Sequence, residues 1–350
     1  MMPEVHASGI IEYDTSGGSK MAKVGIIANP QSGKDIRRLV AHGTVIDNLE
    51  KVNIVKRLIL GLEAVGIEEV VIMPDTFCIG ERAIEDLGKK YSLKTKTSVL
   101  EMRIEGSQED SQKAAKIMAE EDVGCIITLG GDGTNRVVAR GCGRVPIAPV
   151  STGTNNVFPT MMEGTIMGLA AGVVARRLVR LDEVCFQSKR LSIIKNKKEV
   201  DSAFVDVVVC KDVFVGSRAI WDMNKIFRIV TTRGEPTNIG MSAIGGFFHP
   251  ISVFEDKGHS IKIGKGNLKV KAPISPGIVE WVDVEKFEVI SVGDSVRVLQ
   301  KPSILALDGE REVEVSENDE VSIRLLRDGP LVVDVNKVMN AAVNKGFFTA

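Results

Sequence analysis

From residue 23 the chain alternates short apolar runs with stretches whose apolar residues recur every three or four positions. KVGIIA (23–28), EVVIM (69–73), TSVLEM (97–102), GCIITLG (124–130) and VPIAPV (145–150) predict buried strands. Between them, Val52, Val55, Ile59, Leu62 and Val65 fall at helical spacing, and the segment opening at Ser107 carries Asp110 three residues on, the spacing of a capping box. Strands and helices in alternation predict a parallel sheet covered on both faces, an α/β domain over residues 21–160. Ligands of such sheets sit beyond the carboxyl ends of the strands.

After about residue 180 the period shortens. Valine and isoleucine alternate with charged residues in RLSIIKN, AFVDVVV, KIFRIVTT, HSIKIGKG, NLKVKAPI, KFEVISV and EVSIRLL, with turn-forming Gly, Asn, Asp and Pro between them. That pattern predicts an antiparallel β-sandwich, assigned to residues 161–330. Helical spacing returns at Val335, Val338, Met339, Ala342 and Val343, so residues 331–350 are expected to form a helix packing back on the first domain. Residues 1–20, rich in Ser and Gly near their end, read as an extension before Met21.

Composition narrows the function. The chain has 350 residues, 44% of them hydrophobic, enough to fill two cores, which excludes a disordered or fibrous protein. Its 45 basic and 46 acidic residues are mixed and leave a net charge of -1. With no polybasic tract, nucleic acid and membranes are not expected partners, and small-molecule nucleotides are. Five cysteines, none in a CxxC spacing, argue against a disulfide framework or zinc site and for reduced thiols. Without a basic, apolar leader or a run of about twenty apolar residues, a cytoplasmic location is expected. Long strands with polar faces make a homo-oligomer the expected state.

Four polar loops follow apolar runs. In ANPQSGKD (28–35), seven residues separate Gly25 from Gly33 and Asp35 follows Lys34, so the GxxxxGK[ST] phosphate loop is not met. Either the loop is a plain strand-to-helix turn, or Asn29 and Ser32 bind a nucleotide. In LGGDGTNR, Gly130, Gly131 and Gly133 permit positive φ and let a ligand approach the backbone, with Thr134 opening a helix whose free N–H groups attract anions. Asp132 complicates a pure phosphate cradle, because a carboxylate about 4 Å from a phosphate charge costs on the order of 4 kcal/mol at an effective dielectric of 20. It fits a Mg²⁺ contact or the acceptor of a hydroxyl proton, and alternatively a cap at Thr134. Arg136 and Arg140, one turn apart, either neutralise phosphate or lie solvated. In PVSTGTNNVFP, Thr152, Gly153, Thr154, Asn155 and Asn156 form a second nucleotide loop that would face the first. In ALDGEREVEV, Asp308 and Gly309 read as a hairpin turn, or Asp308 or Glu310 stands across the cleft as a second acid.

These loops, in this order, resemble the NAD kinase and diacylglycerol kinase superfamily. LGGDGT matches its GGDGT motif, NPQSG its NPxSG, STGTNN the GTGN loop of its lipid kinases, and DGE their late acidic motif, whereas KAPISPGIV (271–279) resembles the sandwich segment of NAD kinases. The resemblance runs from residue 23 to about 326 and implies a Rossmann-like domain followed by a β-sandwich. NPQSGKDIRRLV, DNLEKVNIVKR and IMPDTFCIGERA are similar to its AcoX-type branch, linked to acetoin utilisation. It implies Asp132 as proton acceptor, and Asn29, Gly131, Gly133, Thr134 and residues 152–156 as nucleotide binders. Where NAD kinases carry an Asn-acid pair for the acceptor, AFVDVVV has Val205 before Asp206, and TNIGMSAIGGFFHP only faintly matches their TGST loop.

The expectation is therefore an ATP- and Mg²⁺-dependent kinase, with the 2′-hydroxyl of NAD as acceptor. A lipid kinase is one alternative, and a nucleotide-binding sensor without catalysis, linked to acetoin catabolism, is the other. The opening βαβ lacks GxGxxG, which weighs against a dehydrogenase.

Overall fold

The computed structural model describes residues 21–32, 42–44, 46–211 and 223–349, the side chains of residues 310–312 excepted. The extension expected at residues 1–20 and Gly33, Lys34 and Asp35 of the first loop lie outside the described residues.

The first half runs β1 (Lys23–Ala28), α1 (Asn48–Ala64), β2 (Glu69–Ile72), α2 (Ile79–Gly88), β3 (Lys96–Val99), α3 (Glu109–Glu120), β4 (Cys125–Gly130), α4 (Asp132–Ala139), β5 (Ile147–Ser151), α5 (Gly164–Ala175), α6 (Leu181–Val184) and β6 (Cys185–Gln187). The second runs β7 (Arg190–Lys195), β8 (Lys198–Ala203), β9 (Asp206–Cys210), β10 (Ile226–Thr231), α7 (Met241–Phe248), β11 (Lys257–Ser275), β12 (Ile278–Ser291), β13 (Ser295–Val298), β14 (Ser303–Leu307), β15 (Glu310–Val315), β16 (Val321–Leu326), β17 (Leu331–Val333) and α8 (Val335–Asn344).

The first sheet has the order β3-β2-β1-β4-β5-β17-β6 and is parallel up to β17, with β6 antiparallel at its edge. Its central strands β4 and β5 are buried along their whole length because both faces are covered. Residues of α1, α2, α5 and α8 share one apolar cluster and residues of α3 and α4 another. Strand order reverses between β1 and β4, so the loops leaving them open a crevice at the carboxyl edge. Gly130 at the end of β4 lies opposite Ser151 at the end of β5, which brings the next loop alongside.

The second domain is the expected sandwich, with sheets ordered β12-β11-β10-β9-β14-β15 and β13-β16-β7-β8 around a shared core. Three local expectations change. HSIKIGKG and NLKVKAPI are one strand, β11, whose register against β12 shifts between Ile263 and Leu268, so Gly264 and Gly266 mark a bulge rather than a turn. Asp110 accepts from Ser107 N, as a capping box requires, but also from Glu105 N and Gly106 N, and α3 starts only at Glu109. The change of domain comes later than residue 160. Helix α5 buries Met167, Ala170, Ala171 and Val174 in the cluster beneath the first sheet, and β6 and β17 are strands of that sheet. Helix α8, capped by Asp334 accepting from Lys337 N at 3.1 Å, adds Val335, Val338 and Ala342 to the same cluster, so the tail does return to the first domain. Cys125, Cys142, Cys185 and Cys210 are buried thiols and Cys78 is exposed. No helix among the described residues is long and apolar enough to cross a membrane.

Candidate functional site

Three of the four loops meet at the carboxyl edge of the first sheet. Asn29, after β1, donates from Nδ2 to Thr134 Oγ1 at 2.9 Å, and its Oδ1 accepts from Gln31 N at 2.8 Å, an Asx turn that shapes the loop. Thr152 Oγ1 donates to Ser32 Oγ at 3.0 Å, tying the loop after β5 to the loop after β1. Asn156 donates to Ser151 Oγ at 2.8 Å and to Gly153 O at 3.2 Å, and Thr154 Oγ1 accepts from Thr44 N at 2.9 Å. Among the sequence-predicted nucleotide residues, Asn29 is thus bonded to Thr134, Ser32 to Thr152 and Asn156 to Gly153.

The glycines of the central loop act by close approach. None of Gly130, Gly131 and Gly133 uses the positive φ open to glycine; Gly131, at the N-cap of α4, is extended at φ -98°. A Cβ on Gly130 would lie 2.4 Å from Thr134 Cβ, and one on Gly131 2.7 Å from Asn156 Oδ1. Only hydrogen fits there. Asn135, fully buried, locks the turn by accepting from Thr128 Oγ1 at 2.6 Å and donating to Gly131 O at 2.9 Å.

Asp132 is the first residue of α4, and it does not cap its own helix. Its carboxylate reaches across to the loop after β5 and accepts from Phe158 N at 2.8 Å and Val157 N at 3.1 Å. Burial, reinforced by the nearby charge of Asp308, pushes its carboxyl up to about 6, against those two N–H bonds and Arg233, which pull it down. It is therefore an acid that changes charge near neutrality, at the mouth of a helix whose first N–H groups are unspent within the helix.

Asp308 and Gly309 form the two-residue turn between β14 and β15, with φ of 50° and 85°. Both values are positive, the signature of a type I′ hairpin. The turn and the second acid, alternatives in the sequence, are the same residue. The Asp308 carboxylate accepts from Val205 N at 2.7 Å, Phe204 N at 3.0 Å and Asp206 N at 3.2 Å. It is fully engaged in holding backbone, with burial raising its pKa. Asp206, buried at the start of β9, lines the same cleft. Glu310 opens β15, and its side chain is outside the described residues. Val205 packs in the apolar cluster of α3 and α4 and does not line the cleft.

Arg136 and Arg140 correct an expectation. Neither sits at the phosphate position: Arg140 is an exposed helix charge that bonds Asp201 on β8, and Arg136, 1% exposed rather than solvated, lies 3.4 Å from Asp201 and 3.9 Å from Asp308. They join the first domain to the sandwich beside the cleft.

Three contributors were not anticipated. Lys51, fully buried, donates to Asn29 O at 2.9 Å, Ser32 O at 2.8 Å and Asn48 Oδ1 at 3.1 Å, supporting the first loop from below. A cation in register with Val55, Leu58 and Leu62 on the apolar face of α1 was the available signal. Arg233, after β10, donates to Val157 O, so the peptide that Asp132 grips by its N–H is gripped by its carbonyl from the sandwich. The hairpin tip between β11 and β12 crosses to the first domain, where His42 N donates to Pro276 O at 3.1 Å. Neither had a distinguishing pattern in sequence.

Together these elements line an open cleft, with Asp132, Asn155 and Val157 on one side and Asp206, Asp308, Ile239, Met241 and Ile274 on the other. Among the described residues no three His, Cys, Asp or Glu side chains are grouped to hold a metal. Mg²⁺ needs no such cage, because it takes one or two carboxylates and completes its shell with phosphates and water. Asp132 suits that partial role.

Residues 24–178 match the ATP-NAD kinase N-terminal domain, and residues 189–328 the acetoin catabolism protein X C-terminal domain. The acetoin catabolism protein X of Cupriavidus necator is 37% identical over 329 residues, covering 91% of this chain and 92% of its own. Among solved structures, a Bacillus anthracis str. Sterne chain provisionally assigned as a diacylglycerol kinase covers 91% of this chain and 99% of its own at 14% identity and a TM-score of 0.42. A second structure from the same organism, with the same provisional assignment, gives 89%, 98%, 14% and 0.41. With likeness to the Cupriavidus necator protein running nearly end to end and both domain matches in order, the chain belongs to the acetoin catabolism protein X family, whose N-terminal domain here is of the NAD kinase type.

Proposed function

We propose that this protein is an ATP-dependent kinase acting on a small-molecule hydroxyl, with the 2′-hydroxyl of NAD as its acceptor. One observation carries the reading: a carboxylate raised toward neutrality, Asp132, stands in the cleft at the N-terminus of the helix that follows the glycine loop. A phosphate site alone has no use for it, whereas phosphoryl transfer needs a group to take the acceptor's proton. In this reading the N–H groups at the start of α4 and the loop after β5 bind the donor's phosphates, Asn29 and Ser32 bind its nucleoside, and Asp132 orients the acceptor hydroxyl and accepts its proton. The two domains position the reactants in line, which is most of what phosphoryl transfer asks of a protein. Mg²⁺ carried by the triphosphate supplies charge neutralisation, with Asp132 the carboxylate to share it.

A second reading, a lipid acceptor, is favoured by the apolar wall of Val208, Ile239, Met241 and Ile274 and by the missing amide at Val205. The deciding measurement is Mg²⁺-dependent ATP consumption by the purified protein with NAD, diacylglycerol or no acceptor. NADP formation is the expected result. Consumption only with diacylglycerol selects the second reading, and tight nucleotide binding without product in any lane overturns both.

A further inference from the structure

The sandwich wall of the cleft contains a hydroxyl that the protein leaves unsatisfied. Ser275, at the end of β11, is 1% exposed and lines the cleft, and its Oγ has no hydrogen-bond partner among the described residues. Buried polar groups are normally bonded, and an orphan in a binding cleft marks a place a ligand fills. Ser192 and Ser303 also carry unpartnered hydroxyls, but neither lines the cleft. The position of Ser275 is fixed from both domains. Pro273 O accepts from Gly240 N at 3.0 Å, and Pro276 O, one residue on, accepts from His42 N at 3.1 Å.

What surrounds Ser275 selects the ligand's chemistry. Its neighbour Ile274 joins Val208, Ile239 and Met241 in an apolar wall, and the polar side is carboxylate: Asp132, Asp206 and Asp308. No lysine, arginine or histidine is among the described lining residues. An anionic group would meet three carboxylates and no cation among the described lining residues, whereas an uncharged hydroxyl with an apolar body would satisfy Ser275 and rest on the wall.

We propose that Ser275 is a ligand-contacting, specificity-determining residue of the acceptor side, and that the group it meets is an uncharged, hydroxyl-bearing end with an apolar face. Both a nucleoside and a glycerolipid present that chemistry. The name acceptor rests on the kinase reading above; the contact itself is a statement about binding.

The test is equilibrium binding of adenosine, NAD and dioctanoylglycerol to the wild type and to Ser275→Ala, with the melting temperature of each ligand-free protein. Ser275→Ala is expected to weaken the bound probe about tenfold, the loss of one hydrogen bond in a desolvated site. It leaves the ligand-free melting temperature unchanged or higher, because no internal bond is lost. Adenosine or NAD binding identifies a nucleoside source, and dioctanoylglycerol binding a lipid one. Equal affinities in the two proteins, a lower melting temperature in the variant, or failure of all three probes to bind the wild type each overturn the proposal. Ser275-dependent binding without ATP turnover would remove the kinase reading and leave this contact standing.

Discussion

Two aspartates face one cleft from different domains, and the same chemistry has been turned to opposite ends. Asp308 sits in a type I′ turn with its carboxylate bonded to three consecutive N–H groups and to the side of buried Arg136. Asp132 sits at a helix start with two N–H bonds, both from the opposite loop, and remains partly exposed to the cleft. Burial raises the pKa of both. What separates them is spare capacity, because a carboxylate offers about four acceptor positions. Asp308 has spent its positions on scaffold, and Asp132 has kept some for a ligand. Identity does not tell the structural acid from the chemical one; the partner list and the exposure to the cleft do.

The largest expected effect breaks or confirms the chemical half of that contrast. Asp132→Asn keeps an Oδ1 able to accept from Phe158 N, so the fold should survive, while turnover should fall about 10²- to 10⁴-fold, the usual share of a general base. Steady-state kinetics with a parallel melting curve checks both. Full turnover in a folded Asp132→Asn protein would make Asp132 a second Asp308.

Asp308→Ala tests the structural half. It strips acceptors from Phe204, Val205 and Asp206 and leaves Arg136 with less countercharge, so unfolding free energy should drop by about 3–5 kcal/mol, as when one member of a buried pair is removed. Denaturant titration reads it. A change below about 1 kcal/mol, the level of an exposed pair, would show that its bonds are not holding the hairpin to β9.

Gly130→Ala is expected to cost about 1–3 kcal/mol, typical of overpacking, because its Cβ would displace Thr134 and with it the bond from Asn29. If the same substitution is neutral, the loop is slack and Asp132 is not held by it.

The fold was legible because both domains obey simple periods: KVGIIA is β1 residue for residue, and alternation from Arg190 to Leu326 became two antiparallel sheets. The loops that meet were also legible, since each polar run follows a strand of one sheet. Contacts that cross between domains were not. Arg136 looked like a helix charge and proved to face Asp201 and Asp308, because nothing local records which residues 65 and 172 positions away will be opposite. The glycines were legible in place but not in reason, since sequence shows a missing side chain but not whether dihedral or contact required it. Ser275 was visible only as part of a motif, because an unsatisfied hydroxyl is a property of packing.

The smallest effect is a pH slope, and its sign separates the two roles within Asp132 itself. Its carboxyl is raised from 3.8 to about 6, so between those values the native state holds a proton that the unfolded chain has lost. Stability then falls as pH rises from about 4 to about 6 and levels off above. Asp132→Asn should flatten part of that slope, leaving the part due to Asp308, whose pKa is raised in the same direction. Turnover should run the other way, rising through pH 6 as the base becomes free to accept a proton. Melting temperatures of the two proteins from pH 4 to 7, set beside the wild-type rate profile, give both curves. If stability and rate rise together through pH 6, the carboxylate is favoured rather than disfavoured in the folded state, and burial is not what sets the titration of Asp132.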